Sequence, residues 1–123
     1  MATEFKRVTM ADVPVTALPN TGDTTSDLYR PAATVDTVVI GMLLTNKIGA
    51  SIVADVMIEV VSGQPGETVY LIKGAQVPVG SALEVISGKV VVANTGSGTG
   101  DTLQVRCDTA SALDATVSIL ENT

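Results

Sequence analysis

The chain has no histidine and no tryptophan, and its aromatic residues are one phenylalanine and two tyrosines. Without histidine, Ser-His-Asp and Cys-His catalytic arrangements are excluded, and so are zinc sites built from Cys and His. Cys107 is the single cysteine, so no disulfide can form within the chain, which excludes a disulfide-stapled secreted scaffold. We interpret Cys107 as a buried small apolar residue, with a thiol at a subunit boundary as the alternative.

Charge is also scarce, because charged residues make up 16% of the chain and the net charge is −6. Lys6-Arg7 is the only adjacent basic pair, and phosphate contacts need clustered Lys and Arg, so we expect no nucleic-acid partner. The longest apolar run, VVIGMLL at 38–44, is too short to cross a bilayer, and MATEFKRVTMADVP lacks the apolar stretch of a secretion signal. We therefore expect synthesis in a cytoplasm and no membrane partner.

Valine and threonine are abundant, and several segments alternate between apolar and polar residues, which is the period of a strand with one buried face. The clearest are IVADVMIEVV (52–61), DTLQVRCD (101–108) and LDATVSILE (113–121). No segment of useful length has a helical period. The sequence therefore predicts an all-β protein, a single antiparallel β-sandwich of jelly-roll or Ig-like type with an extended N-terminal arm.

The sequence predicts two regions, with the boundary after residue 27. Residues 1–27 are expected to form an N-terminal arm and edge strands, at about 4–8 and 13–17, and residues 28–123 the β-sandwich domain. Further strands are predicted over 34–46 and 68–74, followed by an extended edge segment at 76–80. Residues 82–94 read as a β-hairpin with Ser87-Gly88 as a two-residue turn, because this register places Leu83, Val85, Val90 and Val92 on one face.

The segment NTGSGTGD (94–101) resembles a phosphate-binding loop in its glycine content alone. A Walker loop requires Lys after its last glycine, whereas Asp101 stands there and would repel phosphate. A dinucleotide loop opens a helix, whereas a predicted strand follows here. We therefore predict a connection between two strands and no cofactor site.

Chemistry-bearing side chains are dispersed along the sequence. The carboxylates lie on different predicted strands and turns, without calcium-loop spacing, so we expect no catalytic or metal site. The residues chosen instead as candidate partner contacts belong to the N-terminal segment, whose composition differs from the rest. They are Phe5, Lys6, Arg7, Val8, Val13 and Val15.

Two stretches resemble small structural proteins of tailed bacteriophages. The first stretch is 67–121, where the similar pieces are a Tyr-Leu strand, VPVGSALEVISGKVVV, a strand that begins after an acidic residue, and ASALDATVSILE. Upstream, LYRPAATVDTVVIGMLLTN (28–46) is similar to the opening of the same family. The loop at 94–101 is longer and richer in glycine than the family pattern, and residues 1–27 match nothing in it.

The resemblance implies a non-enzymatic virion protein without cofactors, made in the bacterial host cytoplasm. The favoured function is a capsid decoration or cement protein that binds the major capsid protein or other virion proteins and stabilises the assembled head. Symmetric capsid sites favour a homo-oligomer, a trimer first, with the N-terminal arm lying on the shell or on a neighbouring subunit. The alternatives are a tail, neck or fibre-base protein and, from another class, a carbohydrate-binding β-sandwich.

Overall fold

Two antiparallel sheets enclose the apolar core in a computed structural model of the chain, which describes residues 3–15, 27–60, 67–86, 89–94 and 100–122. These residues contain no helix, so the predicted all-β antiparallel sandwich is confirmed. The strands of the described ranges are β1 (Thr3–Met10), β2 (Asp27–Tyr29), β3 (Asp36–Asn46), β4 (Ile52–Val60), β5 (Glu67–Val77), β6 (Ala82–Ile86), β7 (Val90–Ala93), β8 (Thr102–Cys107) and β9 (Leu113–Asn122).

The strands pair as a nested series. From the outermost pair inward, β1 pairs with β9, β2 with β8, β3 with both β6 and β7, and β4 with β5, all antiparallel. Two more antiparallel pairs, β3 with β9 and β4 with β8, complete the β1 sheet (β1-β9-β3-β6, with β7 also on β3) and the β2 sheet (β2-β8-β4-β5). Counting β6 and β7 as one strand, this is a jelly roll of two four-stranded sheets rather than the Ig-like strand order.

The predicted hairpin over 82–94 is wrong. β6 and β7 do not pair with each other but lie end to end along β3, with Leu83 opposite Leu44 and Val90 opposite Val39. The physical reason is that β3 is 11 residues long, and its free edge offers both short strands a partner. Residues 87 and 88, the expected turn, lie outside the described residues.

Other predicted strands agree with the structure in position more than in length. β5 runs without a break from the strand predicted at 68–74 into the first two residues of the edge segment predicted at 76–80, whereas residues 78–80 are not in a strand. It is an edge strand of the β2 sheet. β1 is one of the expected edge strands of the first segment and belongs to the β1 sheet. The second strand expected there does not begin at residue 13, since 13–15 are not in a strand, and 16 and 17 lie outside the described residues.

The core consists of the inward faces of both sheets, as the period-two patterns of β4, β8 and β9 predict. It is made almost entirely of aliphatic side chains, and Cys107 lies within it, which confirms the interpretation of this residue as buried. Because β-branched and aliphatic side chains lose little freedom on a pleated surface, such a core forms without large aromatics. Its largest fully buried members are Met42, Leu44, Ile52, Leu103, Leu113 and Ile119.

The glycine-rich loop leaves the β1 sheet after β7 and returns on the β2 sheet at β8, so the predicted strand connection is confirmed at both of its ends. Asp101 joins the two ends of the loop, because its backbone N–H donates to Ala93 O at 3.0 Å and its carboxylate accepts the Ala93 N–H at 3.1 Å. Asn94 is buried beside them and donates its side-chain amide to Pro31 O. Residues 95–99 lie outside the described residues.

Candidate functional site: an interaction surface around β1

The predicted contact residues separate into two groups. Phe5, Lys6, Arg7 and Val8 lie on β1, where the first three are exposed and Val8 is half-buried. Phe5 is the most exposed large apolar side chain of the described residues, with 75% of its surface in solvent. Among the described residues, β1 has a partner strand, β9, along one side only, so no strand of these residues pairs with the backbone groups on its other side.

Val13 does not fit the predicted contact surface. It is 1% exposed and packs in the hydrophobic core. Its backbone N–H donates to Leu113 O at 2.8 Å, and this bond draws the chain inward after β1. Val15, which follows, is half-buried. The candidate interaction surface is therefore restricted to β1 and its neighbours in the sheet.

A cluster around Glu121 anchors the first half of β1. The Glu121 carboxylate accepts hydrogen bonds from Lys6 Nζ at 2.8 Å and from the Tyr29 hydroxyl at 2.5 Å. The bond from Lys6, then the one from Tyr29, holds the pKa of Glu121 below its usual range. Burial, and then the Glu121 carboxylate, raises the pKa of Tyr29 to about 12. The inward side of β1 is thus tied to β9 and β2 at this end.

A second cluster anchors the segment that follows β1. Lys47 Nζ pairs with the carboxylates of Asp12 and Asp114, the latter at 2.9 Å, and the Asp12 N–H donates to Asp114 Oδ1 at 3.0 Å. Hydrogen bonds to Asp12 and then Asp114 raise the pKa of Lys47, while Lys47 lowers the pKa of Asp114. Exposed pairs of this kind contribute little to stability, so we interpret them as positioning β1 rather than as a reactive site.

The outward face of the β1 sheet carries an apolar row that crosses β1, β9, β3 and β7. Phe5 lies opposite Leu120, Leu120 opposite Val38, and Val38 opposite Val91. Side chains that face each other across paired strands point to the same side, and the inward residues Val39 and Ile119 alternate with them. We call Phe5, Leu120, Val38 and Val91 the apolar row. It spans about 14 Å, or three strand spacings.

The apolar row is exposed where it reaches the two sides of the sheet. Val91 has 62% of its surface in solvent, while Leu120 and Val38 in the middle are half-buried by their neighbours. Sequence reasoning selected Phe5 but missed the other three residues. Val38 and Val91 stand in continuous apolar runs and Leu120 in an alternating strand, and only the register of β1, β9, β3 and β7 brings them together.

A shallow depression lies beside the apolar row, over Gly41. Its volume is about 260 Å³, and it is lined by Gly41, Met42, Leu43, Glu84, Thr116 and Ser118. Small-molecule sites in proteins are clefts of about 300–1,000 Å³ that enclose most of their ligand. This depression is smaller and open, so it fits one side chain of a partner better than a cofactor.

The described residues contain no arrangement that suggests catalysis. They hold no group of His, Cys, Asp or Glu side chains able to bind a metal ion. Burial raises the pKa of the Cys107 thiol, which keeps it in the unreactive protonated form. Across the same residues, no helix is both long and apolar enough to cross a membrane.

The three aromatic side chains of the protein lie apart, which removes support for a sugar-binding platform. Phe5 is on the outward face of the β1 sheet, whereas Tyr70 is on the edge strand β5 under the Lys73 ammonium group, 4.6 Å from its ring centroid. The hydroxyl of Tyr29 is bonded to Glu121 and Thr37 inside the molecule. No two of these rings form the flat apolar surface on which a sugar stacks.

Comparisons with known proteins give no match to a family model, to a curated protein or to a solved structure.

Proposed function

We propose that this chain is a non-enzymatic structural protein of a tailed-phage virion, and specifically a capsid decoration protein that binds the assembled head. The observation that carries the proposal is the apolar row, a continuous line of four aliphatic and aromatic side chains on an acidic protein, exposed at Phe5 and Val91 and half-buried between them. Contiguous apolar surface on a folded domain marks a site of protein association.

The choice of a virion rather than another assembly rests on the sequence resemblance over residues 28–121. The jelly roll is compatible with it, because this fold is common in viral capsid domains, but the same fold occurs in lectins and cupins and does not assign a function. A decoration protein acts by mass action, since a ligand that binds only the assembled shell stabilises the shell. A pre-folded sandwich suits this, because little conformational entropy is lost when it binds.

The apolar row is our candidate contact with the shell. Val91→Asp places a charge in the row at a position that is already exposed, so it leaves folding intact. Added to heads that lack the protein, this variant is expected to bind much more weakly than the wild type in co-sedimentation. Val79→Asp is the matched control, because Val79 is 54% exposed but follows β5, away from the row, and this variant should bind normally.

Copy number separates a head protein from a tail, neck or fibre-base protein. Quantitative mass spectrometry of purified virions should find a number of copies that scales with the number of capsid subunits. A small number matching a single ring would assign the protein to the tail, and its absence from virions would overturn the proposal. Binding of Val91→Asp equal to that of the wild type would remove the apolar row as the contact.

A further inference from the structure

We propose that β1 is also a self-association site, at which two copies of the chain pair their β1 strands antiparallel and join their β1 sheets into one. This inference goes beyond the virion function and does not rest on it, because it concerns the purified protein alone. The free side of an edge strand presents unpaired N–H and C=O groups, which is a template for another strand.

The first half of β1 is open to such a partner. Thr3, Glu4, Phe5, Lys6 and Arg7 are all exposed, although Glu4 and Lys6 stand on the inward side of the strand. Among the described residues, β1 makes no backbone pairing on the side away from β9. No strand of these residues therefore covers this edge.

Geometry restricts how two β1 strands can pair. Symmetric antiparallel strands are related by a two-fold axis normal to the sheet, which keeps every side chain on its own face. A residue must then lie opposite itself or opposite a residue an even number of positions away. The axis consequently lies midway between the two copies of one residue of β1, which we call the central residue of the pairing.

The charges of β1 select Phe5. With the axis at Phe5, Glu4 lies opposite Lys6 of the second copy, and Lys6 opposite its Glu4. Phe5 is the only residue of β1 that, when it lies at the two-fold axis, places an acidic side chain opposite a basic one. With the axis at Glu4, Lys6 or Arg7, the charged residue would lie opposite its own copy, and like charges directly opposite each other are destabilising.

The same register makes the two apolar rows continuous. Phe5 lies opposite Phe5 of the second copy, and cross-strand aromatic pairs of this kind stabilise paired strands. Leu120, Val38 and Val91 then extend the apolar surface away from this pair in both directions. Exposed apolar surface at Phe5 and unpaired backbone on β1 are thus both covered by one partner, a second copy of this chain.

Disulfide trapping tests the register. Phe5→Cys places two thiols opposite each other, with Cβ atoms about 5 Å apart, so mild oxidation with copper phenanthroline should give a covalent dimer. Arg7→Cys is the matched control, because its two thiols would be about 14 Å apart and should not join. Arg7→Cys mixed with Thr3→Cys should cross-link, since those positions face each other. The wild type, with only the buried Cys107, should not.

Sedimentation equilibrium tests the association without cross-links. The wild type is expected to be a dimer that dissociates on dilution, and Glu4→Lys, which sets Lys opposite Lys6 twice per dimer, should weaken it several-fold. Glu4 is exposed, so the circular dichroism spectrum should stay that of the folded wild type. A wild type that stays monomeric at high concentration, a trimer, or equal cross-linking of Phe5→Cys and Arg7→Cys would overturn the proposal. None of these results depends on binding to heads.

Discussion

Gly100→Ala is expected to destabilise the protein strongly through contact with one neighbour. A Cβ atom at residue 100 would lie 2.5 Å from Asn94 Cβ, 2.7 Å from its Cγ and 2.9 Å from its Nδ2. Asn94 cannot turn away freely, since it is buried, its N–H donates to Val35 O at 3.2 Å and its side chain donates to Pro31 O at 3.1 Å. The added methyl group must therefore either shift the backbone at Gly100 or break these hydrogen bonds of Asn94.

The magnitude follows from both effects. Overpacking of this kind costs about 1–3 kcal/mol, and the loss of one buried hydrogen bond adds about 1 kcal/mol, so we expect a loss of about 2–4 kcal/mol. For a domain of this size about 1 kcal/mol lowers Tm by about 4 °C, which gives a decrease of about 8–16 °C. Urea unfolding followed by circular dichroism, together with a thermal scan, measures both quantities.

A matched variant isolates the contact from the general effect of replacing glycine. A Cβ atom at Gly49 would meet nothing within 4 Å, so Gly49→Ala should be neutral or stabilising by about 0.4–1 kcal/mol. If Gly100→Ala unfolds within about 0.5 kcal/mol of the wild type, the usual range of surface substitutions, the proposed steric contact with Asn94 is refuted.

Four further variants test other parts of the fold. Thr34 has a φ of 64°, which is costly for a β-branched residue, so Thr34→Asn should raise the free energy of unfolding by up to about 1 kcal/mol in urea titrations. Leu44 is fully buried, so Leu44→Ala should lower that free energy by about 2–5 kcal/mol, measured in the same way. The pKa of Tyr29 is raised to about 12, so its contribution to the stability of the fold is complete below the unfolded pKa near 10 and is lost as the pH rises towards 12. Tyr29→Phe should therefore reduce the decrease of Tm at alkaline pH. The pKa of Glu121 is lowered, so its contribution to the stability of the fold is present above the pKa of the unfolded state and is lost as the pH falls. Glu121→Gln should therefore reduce the decrease of Tm at acid pH.

Local patterns predicted the strands well wherever one face of a strand is buried. The alternation of 52–61, 101–108 and 113–121 corresponds to β4, β8 and β9, because successive side chains of a strand point to opposite faces and one face of each of these strands forms the core. The hairpin over 82–94 failed for the opposite reason. Ser87-Gly88 has the sequence of a two-residue turn, but both flanking strands pair with β3, and no local pattern encodes that distant pairing.

The interaction surface was accessible to sequence reasoning only in part. Phe5 was selected because it lies in the N-terminal segment, whose composition differs from the rest of the chain. Val13 was selected with it, although the hydrogen bond to Leu113 and burial in the core remove it from the surface. Val38 and Val91 come from distant strands, so only their register with Leu120 shows that they share a surface with Phe5.

The nested strand pairing has a consequence for synthesis of the protein. β9 lies between β1 and β3 in the β1 sheet, yet it is the last described strand to be translated. Translation at about 5–20 residues per second leaves the nascent chain for several seconds with β1 and β3 lacking their central partner. The sheet therefore closes late, at the rates of about milliseconds to seconds typical of non-local β topologies. Until then the edges of β1 and β3 are exposed to neighbouring nascent chains, so a chaperone that delays strand pairing should raise the yield of folded protein.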